Sequence, residues 1–200
     1  MLKPKFNQSI VVAKGADVSY SNHSTQVNLL SDIFKIIQRK IPEDTIYREF
    51  PQIKDKWGNL KDNPNEEYGY ENQAHVTVLY GIQNESDYFE IRRILAKAEP
   101  PELEVGKISS FRRDGSPFDV LKLDVISPSL SKIHNLLKNK FENNYKFPDY
   151  QPHITLAYIK KNTNTEIEKS CAWTGTRYQV NAVQFCHKDG YYLPMQVGEK

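Results

Sequence analysis

The stretch AHVTVLYG at residues 74–81 is echoed later in the chain by PHITLAYI at residues 152–159. Each is a short apolar run that contains a histidine and, two residues later, a threonine. Because strand side chains alternate between two faces, the histidine and threonine of each stretch share one face and the aliphatic residues between them face a core. The sequence therefore predicts two strands, each presenting the same polar pair.

The recurrence of this pattern favours a functional role for it. A single histidine on an apolar strand is usually structural, but here His75 with Thr77 is repeated by His153 with Thr155. In both stretches a tyrosine also follows the histidine by five positions. Regular alternation would place these tyrosines on the face opposite the histidines, and we therefore predict that they belong to the core.

The duplicated His-x-Thr pattern resembles the signature of the 2H phosphoesterase superfamily. That superfamily includes 2′-5′ RNA ligase-like proteins, cyclic phosphodiesterases and phage nucleases that destroy cyclic-oligonucleotide alarm signals. The resemblance implies a fold of two pseudo-symmetric lobes around a cleft, with one motif from each lobe on its floor. It also implies that His75, Thr77, His153 and Thr155 are the catalytic residues. From Ser24 onward, stretches such as STQVNL, FDVLKLDV and FPDYQPHITLAYIKK look most like phage and prophage members.

Composition restricts the range of partners. The 200 residues include 27 basic and 25 acidic side chains, which argues against binding to long nucleic acid and favours a small anionic ligand. Cys171 and Cys186 form no disulfide framework, and no long apolar run marks a membrane segment. We expect a cytoplasmic protein without membrane contact, in the host bacterial cytoplasm if it is phage-encoded. Nothing in the sequence indicates the oligomeric state.

The order of predicted elements favours an α+β fold with a single domain over residues 1–200. Strand, helix, His-x-Thr strand, helix and strand follow one another twice. We predict lobe one at about residues 18–111 and lobe two at about residues 117–196, each a small, mostly antiparallel sheet with outer helices. Residues 103–111 and 118–126 read as a hairpin around Asp114 and Gly115.

Helix starts and stops support this division. Ser127 and Pro128 have the residue types of an N-cap and a first helical position. His134 lies one step from the apolar stripe of the helix that follows, and we interpret it as structural.

Residues 43–73 interrupt the pattern as a long polar insert. Structureless stretches of this length are uncommon within compact domains and tend to be functional, which makes the insert a candidate lid. Tyr68 and Tyr70 can stack on nucleobases or anchor the insert to the protein, and for Trp57 anchoring is the preferred interpretation.

Three other polar side chains are candidates for binding the substrate. Gln26 and Asn28 lie on the polar face of the predicted strand at residues 24–29, and they reach a ligand if that strand borders the cleft. Lys122 lies, together with Asp124, on the outward face of the strand at residues 118–126, where either side chain contacts the cleft or solvent.

Two facing imidazoles have the chemistry needed to cleave a phosphodiester. With an ordinary pKa near 6.5, one histidine can accept a proton while the other donates one at neutral pH. The hydroxyls of Thr77 and Thr155 can donate to the non-bridging phosphate oxygens. Neither motif has the spacing of a zinc site, so we expect no metal and no cofactor. The sequence leaves open which histidine is the base and whether water or a ribose 2′-OH attacks.

The sequence thus predicts a metal-independent phosphodiesterase that cleaves nucleotides. The favoured substrates are the cyclic oligonucleotides that activate bacterial anti-phage (CBASS) effectors. A phosphodiesterase for 2′,3′-cyclic phosphates or 2′-5′-linked RNA ends is the alternative enzyme. A non-catalytic nucleotide-binding sponge is the alternative from another class.

Overall fold

A computed structural model describes most of the chain. The described residues are 8–13, 33–49, 52–54, 60–62, 68–84, 86–164, 166–169, 171–186 and 192–198. The predicted strand at residues 24–29, with Gln26 and Asn28, lies outside them, as does Trp57. No helix among the described residues is long and apolar enough to span a membrane.

Two antiparallel four-stranded sheets form the framework. The first sheet has the order β10-β9-β1-β4 and the second has the order β7-β6-β5-β8, while β2 and β3 pair with each other. The strands are β1 Gln8–Ala13, β2 Gln52–Lys54, β3 Leu60–Asp62, β4 His75–Ile82, β5 Glu102–Phe111, β6 Phe118–Ile126, β7 His153–Lys160, β8 Arg177–Gln179, β9 Ala182–Cys186 and β10 Tyr192–Gln196. One His-x-Thr motif therefore opens a strand in each sheet.

Three helices contribute apolar faces to the core. Residues 33–38 form α1, and α2 is Asp87–Lys97. The third helix, α3, is Pro128–Lys140, and its N-cap Ser127 accepts a hydrogen bond from the backbone N–H of Leu130, as the sequence predicted. Short 3-10 helices lie at Glu43–Thr45 and Glu166–Lys169.

The predicted α+β class is confirmed, but the predicted lobe boundaries do not follow the sheets. Strand β5, assigned to lobe one, pairs with β6 and β8 in the second sheet. The closing strands β9 and β10, assigned to lobe two, pair with β1 in the first sheet. The tight β5–β6 hairpin explains the first difference, because two strands joined by a short turn pair with each other rather than separate into two sheets.

The insert at residues 43–73 is fixed at both ends to the free edge of β7. The backbone N–H of Tyr47 donates to the carbonyl of Tyr158 at 3.0 Å, and the N–H of Tyr158 donates to the carbonyl of Gly69 at 2.7 Å. The N–H of Glu71 donates to the carbonyl of Leu156 at 3.0 Å. The insert thus covers an edge that would otherwise be open to pairing with another chain. A lid role for the residues between these anchors stays a prediction.

Candidate active site

Each motif strand contains a β-bulge at the same position, three residues after its histidine. In β4, Thr77 lies opposite Val11 and Leu79 lies opposite Ile10, so Val78 is the extra residue. In β7, Thr155 lies opposite Lys122 and Ala157 lies opposite Leu121, so Leu156 is the extra residue. Two consecutive residues are therefore buried in each strand, at exposures of at most 1%. After the bulge, the alternation of faces is reversed.

The bulges correct the prediction for the tyrosines. Tyr80 is 41% exposed, and Tyr158 is only partly buried, because each returns to the face of its histidine and threonine. Tyr158 is packed against Tyr68 and Phe118, with ring centroids 5.0 and 5.2 Å away. Regular alternation had placed both tyrosines in the core, and a single inserted residue is enough to reverse that assignment.

A helix side chain binds the carbonyl of each bulged residue. The Nδ1–H of His134 on α3 donates to the carbonyl of Val78 at 2.7 Å. The side-chain amide of Gln38, in α1, donates to the carbonyl of Leu156 at 2.8 Å. His134 is 1% exposed and Gln38 is 7% exposed, so these bonds satisfy acceptors that water does not reach. The structural role predicted for His134 is thereby confirmed.

The two catalytic candidates are held by the same backbone contact. Nδ1 of His75 lies 3.0 Å from the carbonyl of Gln73, and Nδ1 of His153 lies 2.7 Å from the carbonyl of Gln151. A carbonyl oxygen can only accept, so the proton of each neutral ring is on Nδ1. Nε2 of both rings is thus left to accept or donate a proton in the reaction.

The chain brings the two motifs together across the gap between the sheets. Strands β4 and β7 contact each other, and the loop between α3 and β7 bonds to β4 and β6. In that loop the hydroxyl of Tyr150 donates to the carbonyl of Thr77 at 2.8 Å. Its ring stacks on His134 with centroids 4.0 Å apart and an interplanar angle of 5°. This loop leads directly into His153, so the position of one motif is tied to that of the other.

His153 lies within a cluster of side chains from the β5–β6 hairpin. The ring of Phe111 meets the imidazole edge-on, with centroids 4.9 Å apart. Asp124 lies opposite His153 in the strand register, and Lys122 lies opposite Thr155. The ammonium of Lys122 is bound to the carboxylate of Asp124 and lies 4.4 Å from the Phe111 ring centroid. This cluster places one positive and one negative charge beside His153.

A serine completes the cluster. The hydroxyl of Ser109 accepts from the ammonium of Lys122 at 2.7 Å and donates to the carboxylate of Asp124 at 2.9 Å. Lys122 is 6% exposed, and Asp124, Ser109 and the nearby Phe111 ring together stabilise its charge.

The surroundings of His153 favour its neutral form. Burial lowers the pKa of its imidazole, and the positive charges of Lys122 and His75 lower that pKa further. The carbonyl of Gln151 and the carboxylate of Asp124 oppose this effect. Because the strands that begin with the two histidines contact each other, positive charge on His75 disfavours positive charge on His153. Protonation of His153 is therefore less favourable than protonation of a free imidazole.

The threonines share the histidine faces. Thr77 and Thr155 are each partly buried, next to the fully buried Val76 and Ile154. Within the described part of the chain, neither threonine hydroxyl has a hydrogen-bond partner. Both hydroxyls are thus able to donate to an anion in the cleft.

Of the predicted binding residues, the structure brings Lys122 to the histidine face. Tyr68 instead packs among Tyr47, Phe118 and Tyr158, toward the far end of β7 from His153. The hydroxyl of Tyr70 donates to the carbonyl of Ile41 at 3.2 Å and to Glu43 at 3.0 Å. For both tyrosines the anchoring alternative therefore fits their contacts better than base stacking.

Sequence reasoning did not identify three of the residues around the site. Phe111 meets His153 and Ser109 meets Lys122 through the register of the folded hairpin, and Tyr150 reaches β4 through a loop. Asp124 was predicted, like Lys122, on the outward face of its strand, where either side chain could reach the cleft. The aligned tripeptides Gln73-Ala74-His75 and Gln151-Pro152-His153 were a visible signal for the shared backbone contact.

Metal ligands are not grouped in the described part of the chain. No three His, Cys, Asp or Glu side chains there lie together as the ligands of one ion would. Within the site the acidic group near the histidines is Asp124, and its carboxylate is already bound to Lys122 and Ser109.

The chain is similar to one protein family and to several solved structures. The family model of the 2′-5′ RNA ligase superfamily matches residues 42–191. Among solved structures, TT0787 of Thermus thermophilus is similar with a TM-score of 0.57 and 15% identity, over 98% of this chain and 100% of that chain. Usb1 of Kluyveromyces marxianus has a TM-score of 0.49 and 11% identity, over 96% and 99% of the two chains. A structure described as a phosphoesterase has a TM-score of 0.49 and 13% identity, over 98% and 96%. No curated protein sequence matches the chain significantly.

The family match, together with the fold, identifies a phosphoesterase of the 2H type. The chain belongs to the 2′-5′ RNA ligase superfamily, because the family model covers most of its length, including both motifs.

Proposed function

We propose that this phosphoesterase cleaves nucleotide phosphodiesters without a metal, with His153 as the general base and His75 as the general acid. The observation that carries the proposal is the identical tethering of both imidazoles by Nδ1, which leaves Nε2 of each ring available for proton transfer. A sponge that only binds nucleotides has no need of two rings held in this tautomer.

The direction of proton transfer follows from the surroundings of His153. Burial and the nearby positive charges lower the pKa of this imidazole, so the neutral ring can take a proton from water or a ribose 2′-OH. The deprotonated oxygen attacks phosphorus and forms a new P–O bond. As the opposite P–O bond breaks, His75, which enters this step protonated on both ring nitrogens, gives its Nε2 proton to the leaving oxygen and is left as the neutral ring.

The other polar groups stabilise the charge that develops on the phosphate. Thr77 and Thr155 donate to the non-bridging oxygens. The ammonium of Lys122, opposite Thr155 in the register, adds positive charge on the His153 side. Because the ammonium is already bound to Asp124, it attracts the substrate less than an unpaired lysine does and acts chiefly on the local field.

Cyclic oligonucleotide second messengers of anti-phage defence are the proposed substrates. The resemblance of STQVNL, FDVLKLDV and FPDYQPHITLAYIKK to phage members supports this choice, and a cytoplasmic location follows from it. A phosphodiesterase for 2′,3′-cyclic phosphates or 2′-5′-linked RNA ends remains the second candidate, because the family model carries the name of the 2′-5′ RNA ligases.

A panel of substrates tests the proposal. The protein is incubated in EDTA with cyclic dinucleotides, cyclic trinucleotides, 2′,3′-cyclic nucleotides and 2′-5′-linked dinucleotides, beside His75→Ala and His153→Ala. We expect turnover of a cyclic oligonucleotide that survives chelation and is lost in both variants. Turnover of 2′,3′-cyclic or 2′-5′-linked substrates alone favours the second candidate, and tight binding without any product contradicts the enzymatic proposal.

A further inference from the structure

Arg113 lies at the rim of the site, at the tip of the β5–β6 hairpin. Its guanidinium carbon is 4.5 Å from the ring centroid of Phe147 and 5.9 Å from that of Phe111. Phe111 is the ring that meets His153 edge-on at 4.9 Å. Arg113 is therefore one aromatic ring away from the candidate base.

The charge of this guanidinium is not compensated by a neighbouring acid. The side chain of Arg113 is exposed. Among the described residues, no carboxylate lies within ion-pair distance of it. The adjacent Arg112 differs, since its guanidinium binds Glu168 at 3.1 Å and the carbonyl of Thr163 at 3.3 Å. Two neighbouring arginines thus have different roles, and Arg112 is bound within the protein.

The aromatic contacts determine what Arg113 can bind. A guanidinium has two faces that stack and an edge of five N–H donors in a planar fork. Phe147 lies at stacking distance from the guanidinium and Phe111 lies farther away, at 4.5 and 5.9 Å from the guanidinium carbon, so protein rings already contact this group. The edge remains for a ligand, and a planar donor fork of this kind matches the oxygens of a phosphate rather than a nucleobase ring.

We propose that Arg113 forms a second phosphate-binding subsite, next to the phosphodiester that is cleaved at His153. The inference rests on the proposed function and makes it more specific. A substrate that uses both positions carries at least two phosphates separated by one nucleoside. Dinucleotides and cyclic oligonucleotides meet this condition, and 2′,3′-cyclic mononucleotides do not.

Phe147 holds the guanidinium in place for this purpose. Its side chain is 42% exposed, and it belongs to the loop that leads into His153. Because Phe147 already packs on Arg113, the arginine side chain loses less conformational freedom when a phosphate binds.

Two matched ligands test the inference. One is a 3′-5′-linked diadenylate that carries a 5′-phosphate, and the other is the same dinucleotide without that phosphate. Their dissociation constants are measured by calorimetry in EDTA for the wild type, Arg113→Gln and the control Arg112→Gln. Circular dichroism and thermal melting establish that each variant is folded.

The wild type is expected to bind the phosphorylated dinucleotide roughly 10- to 100-fold more tightly, the range of a charge-assisted hydrogen-bonded pair. This preference should disappear in Arg113→Gln, remain in Arg112→Gln and shrink as salt is added. Arg113→Lys should keep part of it, because the charge remains while the planar fork is lost.

Other outcomes overturn the inference. A preference that persists in Arg113→Gln, or its absence from the wild type, contradicts the subsite, as does failure of both ligands to bind at millimolar concentration. The proposed function fails separately. If the phosphorylated dinucleotide binds through Arg113 but neither it nor any member of the substrate panel is cleaved, the subsite stands and the catalytic proposal does not.

Discussion

Replacing Asp124 by Asn tests whether the charged cluster beside His153 is a coupled unit. The substitution keeps the shape of the side chain but removes the negative charge that compensates Lys122. The side chain of Lys122 is 7% exposed and that of Asp124 is 27% exposed. The variant therefore leaves an ammonium in a poorly hydrated position with Ser109 and Phe111 as its remaining partners.

The expected loss of stability follows from this burial. Removing one partner of a buried ion pair typically costs about 3–5 kcal/mol of unfolding free energy. Because Asp124 is partly exposed, we expect a value at the lower end, about 3 kcal/mol. For a domain of this size, each kcal/mol changes Tm by about 2–4 °C, so Asp124→Asn should lower Tm by about 6–12 °C.

A double-mutant cycle measures the coupling. Urea unfolding is compared for Asp124→Asn, Lys122→Met and the double variant, with Glu90→Gln in the exposed ion pair with Lys140 as the control. The double variant contains no unpaired charge, so it should be more stable than Asp124→Asn by about 1–3 kcal/mol. The control should change Tm little, because surface ion pairs contribute little. Strict additivity of the two single substitutions would refute the coupling.

The same variants should shift the pH dependence of activity in opposite directions. Asp124 raises the pKa of His153 and Lys122 lowers it. If His153 is the base, the acidic limb of kcat/KM moves to lower pH in Asp124→Asn and to higher pH in Lys122→Met. If the acidic limb moves in the same direction in both variants, or does not move, then the pKa that sets this limb is not that of His153.

Two further predictions concern the strands and their support. Gly81 has a φ of +77°, and an added Cβ would lie 2.8 Å from Cβ of Asn144, so Gly81→Ala should cost about 2 kcal/mol or more of unfolding free energy, while Gly69→Ala, with nothing within 4 Å, should be tolerated. Urea unfolding of the two variants checks this, and equal costs would contradict it. Burial lowers the pKa of His134 in the folded state, so the unfolded chain binds more protons as the pH falls below about 6.5, and stability should decrease there. His134→Gln, whose amide can still donate to the carbonyl of Val78, should flatten this dependence in melting curves between pH 5 and 7, and an unchanged slope would argue against it.

The strands and the catalytic candidates were predictable because their signal is local. An apolar run with a polar residue at every second position gives both the strand and the face of the histidine. The burial of Val76, Val78, Ile154 and Leu156, at no more than 1% exposure, confirms that part of the prediction. The cap at Ser127 has the same local character, since it depends on residues within one helical turn.

The positions of Tyr80 and Tyr158 were not predictable because a bulge is a property of pairing. Whether Val78 and Leu156 are skipped depends on the partner strands and on the side chains that bind their carbonyls, His134 and Gln38. These bonds join residues far apart in the chain. The pairing of β5 in the second sheet, and of β9 and β10 in the first, was not predicted for the same reason. The sequence pattern of a strand does not specify the strand with which it pairs.

The pH dependence of kcat/KM in EDTA, measured on the wild type, His75→Gln and His153→Gln with a cyclic dinucleotide, tests the central claim most directly. If one imidazole accepts a proton and the other donates one, the wild type gives a bell-shaped profile. The residual activity of His153→Gln should lose the acidic limb, and that of His75→Gln should lose the alkaline limb. Activity that EDTA abolishes, or variants that keep both limbs, would contradict a reaction carried by these two rings.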